Sequence, residues 1–352
     1  MSIYSKLSRI RSKLLQDSII MARFIRDIII PNASGFGLAF SIMIAVFIIR
    51  SIVGGYLVPQ AIVNIVNAVR RNISDSLFFY RLITGVGLFG VAAIIFISSE
   101  FALMKYFSKL ADSIVGLKTV MLRKIHEDGN NESLEDVIGR VSSDIDFVIW
   151  NINGVLTTLL PNIFTAITSI VTVFTFNMSI GLVTLATAAP YIIIAEYYSK
   201  RVEVARSEER KAYSASIAYI RDALYEHRNG DLLSKVFMWW KKSITTVMWF
   251  DRVYWGFSLF TQYSSAVLIS YLSIEKARRG EIDVGTLAGI LSASLGAHGA
   301  MMNAMWALCI QSQTIAAIKR VVVYFTQDVY SKKKEKAYPT MVKSVIGRVL
   351  KI

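Results

Sequence analysis

Cysteine is all but missing from this chain. One residue of 352, Cys309, carries a thiol, so no intramolecular disulfide framework staples the fold. Proline is scarce as well, at five residues, which leaves long stretches free to be helical. Charged residues reach only 18%, below the quarter or so usual in soluble domains. The three histidines (His126, His227 and His298) lie far apart, and with a solitary cysteine they give no metal-ligand spacing. No G-x-x-x-x-G-K-[ST] occurs, so the chain offers no backbone-and-lysine cradle for a triphosphate. No nucleophile, base and orienting acid fall into a recognisable pattern, and catalysis by this chain is not expected. Internal repeats, low-complexity tracts and glycine-serine linkers are missing too.

What the chain has in abundance is apolar sequence, 54% of its residues, gathered in blocks. A bilayer core of about 30 Å needs roughly 20 mostly apolar helical residues to cross it. Six segments meet that length: 34–58, 83–104, 153–176, 178–198, 247–274 and 284–310. Only Asn177 and its neighbours separate the third from the fourth, which predicts a tight hairpin there. The basic residues orient the spans. With the amino terminus inside, the cytoplasmic segments together with Arg252 hold 32 of the 39 lysines and arginines. The net charge of +14 therefore reports topology first, with both termini cytoplasmic, and needs no nucleic acid to explain it.

Between the spans, two cytoplasmic segments stand out. Residues 105–152 place Leu110, Ile114, Leu117, Met121 and Ile125 at spacings of three or four, and residues 199–246 continue the fourth span with few breakers. This predicts spans that run well past the membrane and turn back through short connecting helices. At the amino terminus, Ile3, Leu7, Ile10 and Leu14 alternate with Lys6, Arg9 and Lys13 in the manner of a basic amphipathic helix lying in the membrane interface. Pro31 and Asn32 then break the helix before the first span.

Several short motifs fall on this frame in order. YEHRNGDLLSKVF (225–237) sets Glu226, Gly230, Lys235 and Phe237 at E-x-x-x-G-x-x-x-x-K-x-F, GRVSSDID (139–146) sets Arg140, Val141, Asp144 and Ile145 at R-[VL]-x-x-D-[VI], and GEIDVGTLAG (280–289) reads as a turn into the sixth span. Pro190 lies late in the fourth span and TIAAIKRVVVYF (314–325) leaves the last one. Together these resemble the transmembrane domain of type I ABC exporters over residues 34–325. The sequence departs from the family's pattern at Glu135, where a glycine is usual, and in a short acidic first loop, HEDGNNESLEDVI (126–138). It also lacks an L-S-G-G-Q-like stretch, while IGRVLKI (346–352) resembles the opening strand of an exporter ATP-binding domain.

The resemblance implies an all-α membrane protein of six transmembrane helices, built as a swapped dimer with a second copy or a paralogue. Its divisions are an amphipathic helix (1–33), the six-span domain (34–325) and a basic tail or the start of an ATP-binding domain (326–352). The implied function is the transmembrane subunit of an ATP-driven exporter in the cell membrane, working by alternating access. No cofactor is expected in this chain itself; ATP and magnesium belong to a cytoplasmic ATPase on a separate or missing polypeptide. Coupling helices are expected near 126–135 and 213–224, with Glu132, Arg140, Asp144, Tyr219, Arg221, Asp222, Glu226, Gly230 and Lys235 as coupling residues. Arg50, Ser294, His298 and Asn303 are the pathway candidates.

Each of these residues also has a plainer reading. Arg50 and Glu100 can snorkel to the interfaces, and His298, Asn303 and Gln311 can serve interhelical hydrogen bonds. Asp251 and Arg252 suit an ion pair or an interface anchor, and Trp239, Trp240, Trp249, Tyr254 and Trp255 an interfacial aromatic belt. A second functional reading makes the chain a pore or scaffold for macromolecule translocation, driven by another ATPase. The cluster Lys332, Lys333, Lys334 and Lys336 then meets a polymer such as DNA, and only under that reading is nucleic acid a partner. A third is an ion-coupled secondary transporter, which the lack of a convincing intramembrane acidic pair disfavours.

Overall fold

The computed structural model describes residues 12–69, 74–128, 141, 144–226 and 230–326. Among the described residues every regular element is helical. A short helix α1 (Lys13–Phe24) opens the chain, capped by Ser12, whose hydroxyl accepts from the Leu15 amide. A wide π turn at Ile25–Ile29 leads into α2 (Ile30–Asn32), with Pro31 in its first turn, where a missing N–H costs nothing. The chain then breaks at Ala33–Gly35, next to the predicted stop. Gly35 holds φ +74°, a left-handed conformation that side chains with a Cβ disfavour.

Six long elements follow. The first span is α3 (Phe36–Ile52) and α4 (Val58–Ala68), joined by a π turn at Val53–Leu57. After it come α5 (Asp75–Asp128), α6 (Ile145–Phe176), α7 (Met178–Glu226), α8 (Gly230–Arg278) and α9 (Val284–Thr326). Asn177 alone separates α6 from α7, as the hairpin reading requires; its side chain accepts from the Ile180 amide and caps α7. At about 1.5 Å per residue, α5, α7 and α8 are each on the order of 75–80 Å long, more than twice a bilayer core. The expected extension of the spans beyond the membrane is therefore present.

One expectation is met in part and another needs correction. Five stretches are long and apolar enough to cross a membrane: Phe36–Ala68, Asp75–Arg123, Ile145–Phe176, Met178–Ile217 and Val284–Lys319. The sixth expected span, 247–274, lies within α8, which is long enough but interrupts its apolar residues with Asp251, Arg252, Gln262 and several hydroxyls. Residues 213–224, expected as a separate connecting helix, instead continue α7 without a break. That stretch contains neither glycine nor proline, so nothing in it stops a helix already running.

α9 is the centre of the bundle. It contributes Ile318 to a core shared with α1, α3, α5 and α6, where Phe24, Phe36, Met43, Tyr106, Leu110 and Ile149 are buried. It contributes Met305 and Cys309 to a second core, with Tyr191, Tyr198, Val247 and Tyr254 of α7 and α8. Near the short turns it contributes Ile290 and Ala293 to a third, against Val173, Ile180 and Ile269. α1 joins the first core through Ile20, Met21 and Phe24 and the second through Leu14. The described part of the amphipathic helix thus lays its apolar face on protein; its residues 1–11 lie outside the described residues.

Candidate functional site

Polar side chains gather where α1 crosses α7 and α9. Glu196 of α7 receives the Ser12 hydroxyl at 3.0 Å and the first backbone amides of α1, Lys13 at 2.7 Å and Leu14 at 3.2 Å. A carboxylate there meets the unsatisfied N–H groups and positive end of a helix. One turn further on, the Lys13 ammonium bridges Asp17 at 2.7 Å and Glu203 at 2.5 Å, and Lys319 of α9 reaches Glu203 at 2.9 Å. Asp17 has no exposed side-chain surface and accepts a second bond from the Ser312 hydroxyl at 2.6 Å. Burial pushes the Asp17 carboxyl up, against the pull of Lys13 and Ser312. At Lys13 burial works against the charge, yet Asp17 and Glu203 outweigh it and hold the ammonium above its ordinary range. Gln311 completes the clamp by donating to Ser18 at 2.9 Å. Apart from Lys13–Asp17, which stand four apart on one helix, none of these pairings is visible in the sequence, since between 116 and 295 positions separate the partners and no local pattern links them.

The pathway candidates fall in different places. Arg50 pairs with Glu100 at 2.6 Å and stands 5.4 Å from the Phe96 ring centroid, so the two ionisable residues read separately in the sequence are one ion pair between the first span and α5. Ser294 and His298 share the face of α9 that meets α7 and α8. Ser294 lies 3.4 Å from the Thr184 hydroxyl, and His298 Nε2 lies 3.2 Å from that of Thr187. The imidazole is 1% exposed and borders a cavity of about 50 Å³ that Ser270 and Ser294 also line. These are interhelical hydrogen bonds of the kind that hold membrane helices together. Asn303 is half-buried on α9.

Nearby, Asp251 and Arg252 do not pair with each other; Asp251 accepts from the Tyr198 hydroxyl, which in turn receives Gln313 at 2.6 Å. The aromatic belt is also divided. Tyr254 and Trp255 join Tyr198 and Trp306 in a core cluster, and Trp240 donates to Glu209, while Trp239 and Trp249 stay exposed.

α6 and α7 form one hairpin about Asn177, and α7 runs from it to Glu226 at the far end of the helical extensions. Residues 128–229 match the family model of the ABC transporter transmembrane region. No curated protein matches the chain. That family model describes the membrane-spanning region of ABC transporters, and 102 of the 352 residues of this chain match it. With five helices long and apolar enough to cross a membrane, the match marks a multi-pass membrane protein.

Of the coupling candidates inside the matched segment, Asp144 is buried and engaged at the start of α6, and Tyr219 is half-buried on the extension of α7. Arg221, Asp222 and Glu226 lie on the last turns of α7, their side chains outside the described set. Just past the match, Gly230 opens α8 and Lys235 is exposed one turn later. Glu132, Arg140, residues 129–138 of the acidic first loop and residues 327–352 of the basic tail lie outside the described residues.

Proposed function

We propose that this chain is the transmembrane subunit of an ATP-driven exporter, forming the translocation pathway by alternating access. The ATPase that energises it resides on another polypeptide or a further domain. One observation carries the reading: the match to the ABC transmembrane region falls on the α6–α7 hairpin, whose second helix projects far beyond a bilayer. A projecting helix has a use when a cytoplasmic machine must push on it. Under this reading the tip of α7 and the head of α8 dock on the ATPase, and a second copy or paralogue completes the pathway. Nucleotide binding shifts the pair between states only as far as it favours one set of contacts over the other.

The test is purification of the intact protein from its native membrane under mild detergent, with Tyr219→Cys and Lys235→Cys introduced singly. Native Cys309 is buried and gives little background. The expected result is a stoichiometric ABC-type ATPase, covalently attached or copurifying, that cross-links to both positions in a nucleotide-dependent manner. A different ATPase, or none, overturns the exporter reading.

A further inference from the structure

α7 and α8 leave an open apolar groove between them. It encloses about 370 Å³ and is lined by Ile193, Ile194, Tyr197, Tyr198, Phe250 and Tyr254, with Phe257 at its membrane end. That volume falls in the range of ligand sites. Its depth follows from the helix itself. Residues 193–198 lie 15–20 positions beyond Met178 at the short turn, or about 22–30 Å along the axis. The groove therefore opens at the membrane boundary on the side of the helical extensions. Three of its side chains, Ile193, Tyr197 and Phe257, are at least half exposed.

Apolar walls alone do not select a ligand inside a bilayer, because lipid tails are as apolar as the groove. Charge at the mouth does. Arg201, one turn past Tyr197, lays its guanidinium 3.7 Å from the Tyr197 ring centroid and otherwise bonds only the Tyr197 carbonyl. Arg252 of α8, although exposed, stands on the face of that helix away from Phe250, Val253, Tyr254 and Phe257 and takes no part. Among the described residues the Arg201 guanidinium forms no ion pair with a carboxylate, whereas Lys200, Arg206, Arg210 and Lys211 of the same helix do. We propose that this groove binds an anionic phospholipid of that leaflet, one acyl chain between α7 and α8 and the phosphate on Arg201. Guanidinium matches phosphate oxygens in both charge and geometry.

Native mass spectrometry of the purified chain from mixed micelles, with phosphatidylglycerol and phosphatidylcholine in equal amounts, reads the site directly. One cation at a membrane surface predicts roughly a fivefold preference for the anionic lipid. In Arg201→Gln the preference falls to about unity, while Arg252→Gln, on the opposite face of α8, and Lys241→Gln/Lys242→Gln, further along the extension, keep it. Val253→Trp, which fills the groove, loses the retained lipid without lowering the melting temperature. An unchanged preference in Arg201→Gln overturns the proposal. So does a Phe257→Cys variant that forms disulfide-linked dimers and retains no lipid, because a second copy then covers the groove. The readout uses this chain alone, so its outcome is independent of which ATPase is found.

Discussion

Asp283 stands one residue before α9 and ties the two ends of the bundle's outer side together. Its carboxylate caps α9 through the Thr286 amide at 2.6 Å and receives the Asn67 amide of α4 at 3.1 Å, while Asn67 accepts from the Gly285 amide. Burial works against the charge, but the bonds from Thr286 and Asn67 outweigh it and hold the carboxyl below its ordinary range. A carboxyl depressed in the folded state stabilises fully above its unfolded value and loses that contribution as pH falls through the folded one. Melting temperature should be level near neutrality and drop below about pH 4, and Asp283→Asn should flatten that acid limb. Asn67→Leu strands a partly buried carboxylate and should cost on the order of 1–3 kcal/mol in the same melting assay. At this scale the sequence was half legible. GEIDVGTLAG announces the turn and its capping aspartate, but Asn67 is a single polar residue about 216 positions away with no local signature.

Elements were easier to read than their partners. Long apolar blocks with few breakers require helices, and the helices are there; which face of each meets which neighbour depends on contacts across the whole chain. Small residues decide one such meeting. A Cβ on Gly55 would lie 2.1 Å from Thr168 Oγ1 and 2.9 Å from the Ser169 backbone nitrogen, while Ser51 alongside it receives Thr165 and donates to the Pro161 carbonyl. Gly55→Ala should push the first span off α6 and cost about 1–3 kcal/mol, read as a lower melting temperature with unchanged helicity. The amphipathic helix shows the same limit. Of its pattern only Lys13 and Leu14 fall among the described residues, and both lie against protein, Lys13 on Asp17 and Glu203 and Leu14 in the second core. Removing Lys13 leaves Asp17 buried with a hydroxyl as its remaining partner, and breaking a buried pair costs about 3–5 kcal/mol. Amide hydrogen exchange over residues 13–24 should accelerate in Lys13→Ala, and Lys13→Ala/Asp17→Ala should recover part of the protection.

Across the whole molecule, the short turns at Asn177 and Gly280 lie at one end and the long extensions at the other. Under the proposed reading, the excess of lysine and arginine puts the extensions in the cytoplasm. In sealed cells an impermeant maleimide should label Met178→Cys and Glu281→Cys, both exposed, and spare Lys235→Cys until the membrane is opened. The reverse pattern inverts the topology. The seamless passage of α7 from its apolar half into its charged extension has a mechanical meaning. From Tyr198 to Glu226 it is a stiff arm on the order of 40 Å long, so a tilt of about 10° at the membrane carries its tip through roughly 7 Å. The grip of α1 on Glu196 and Glu203 sits at the inner end of that arm, close to the fulcrum. There it opposes rotation with little torque while fixing the axis about which the arm turns, as a bearing does for a crank.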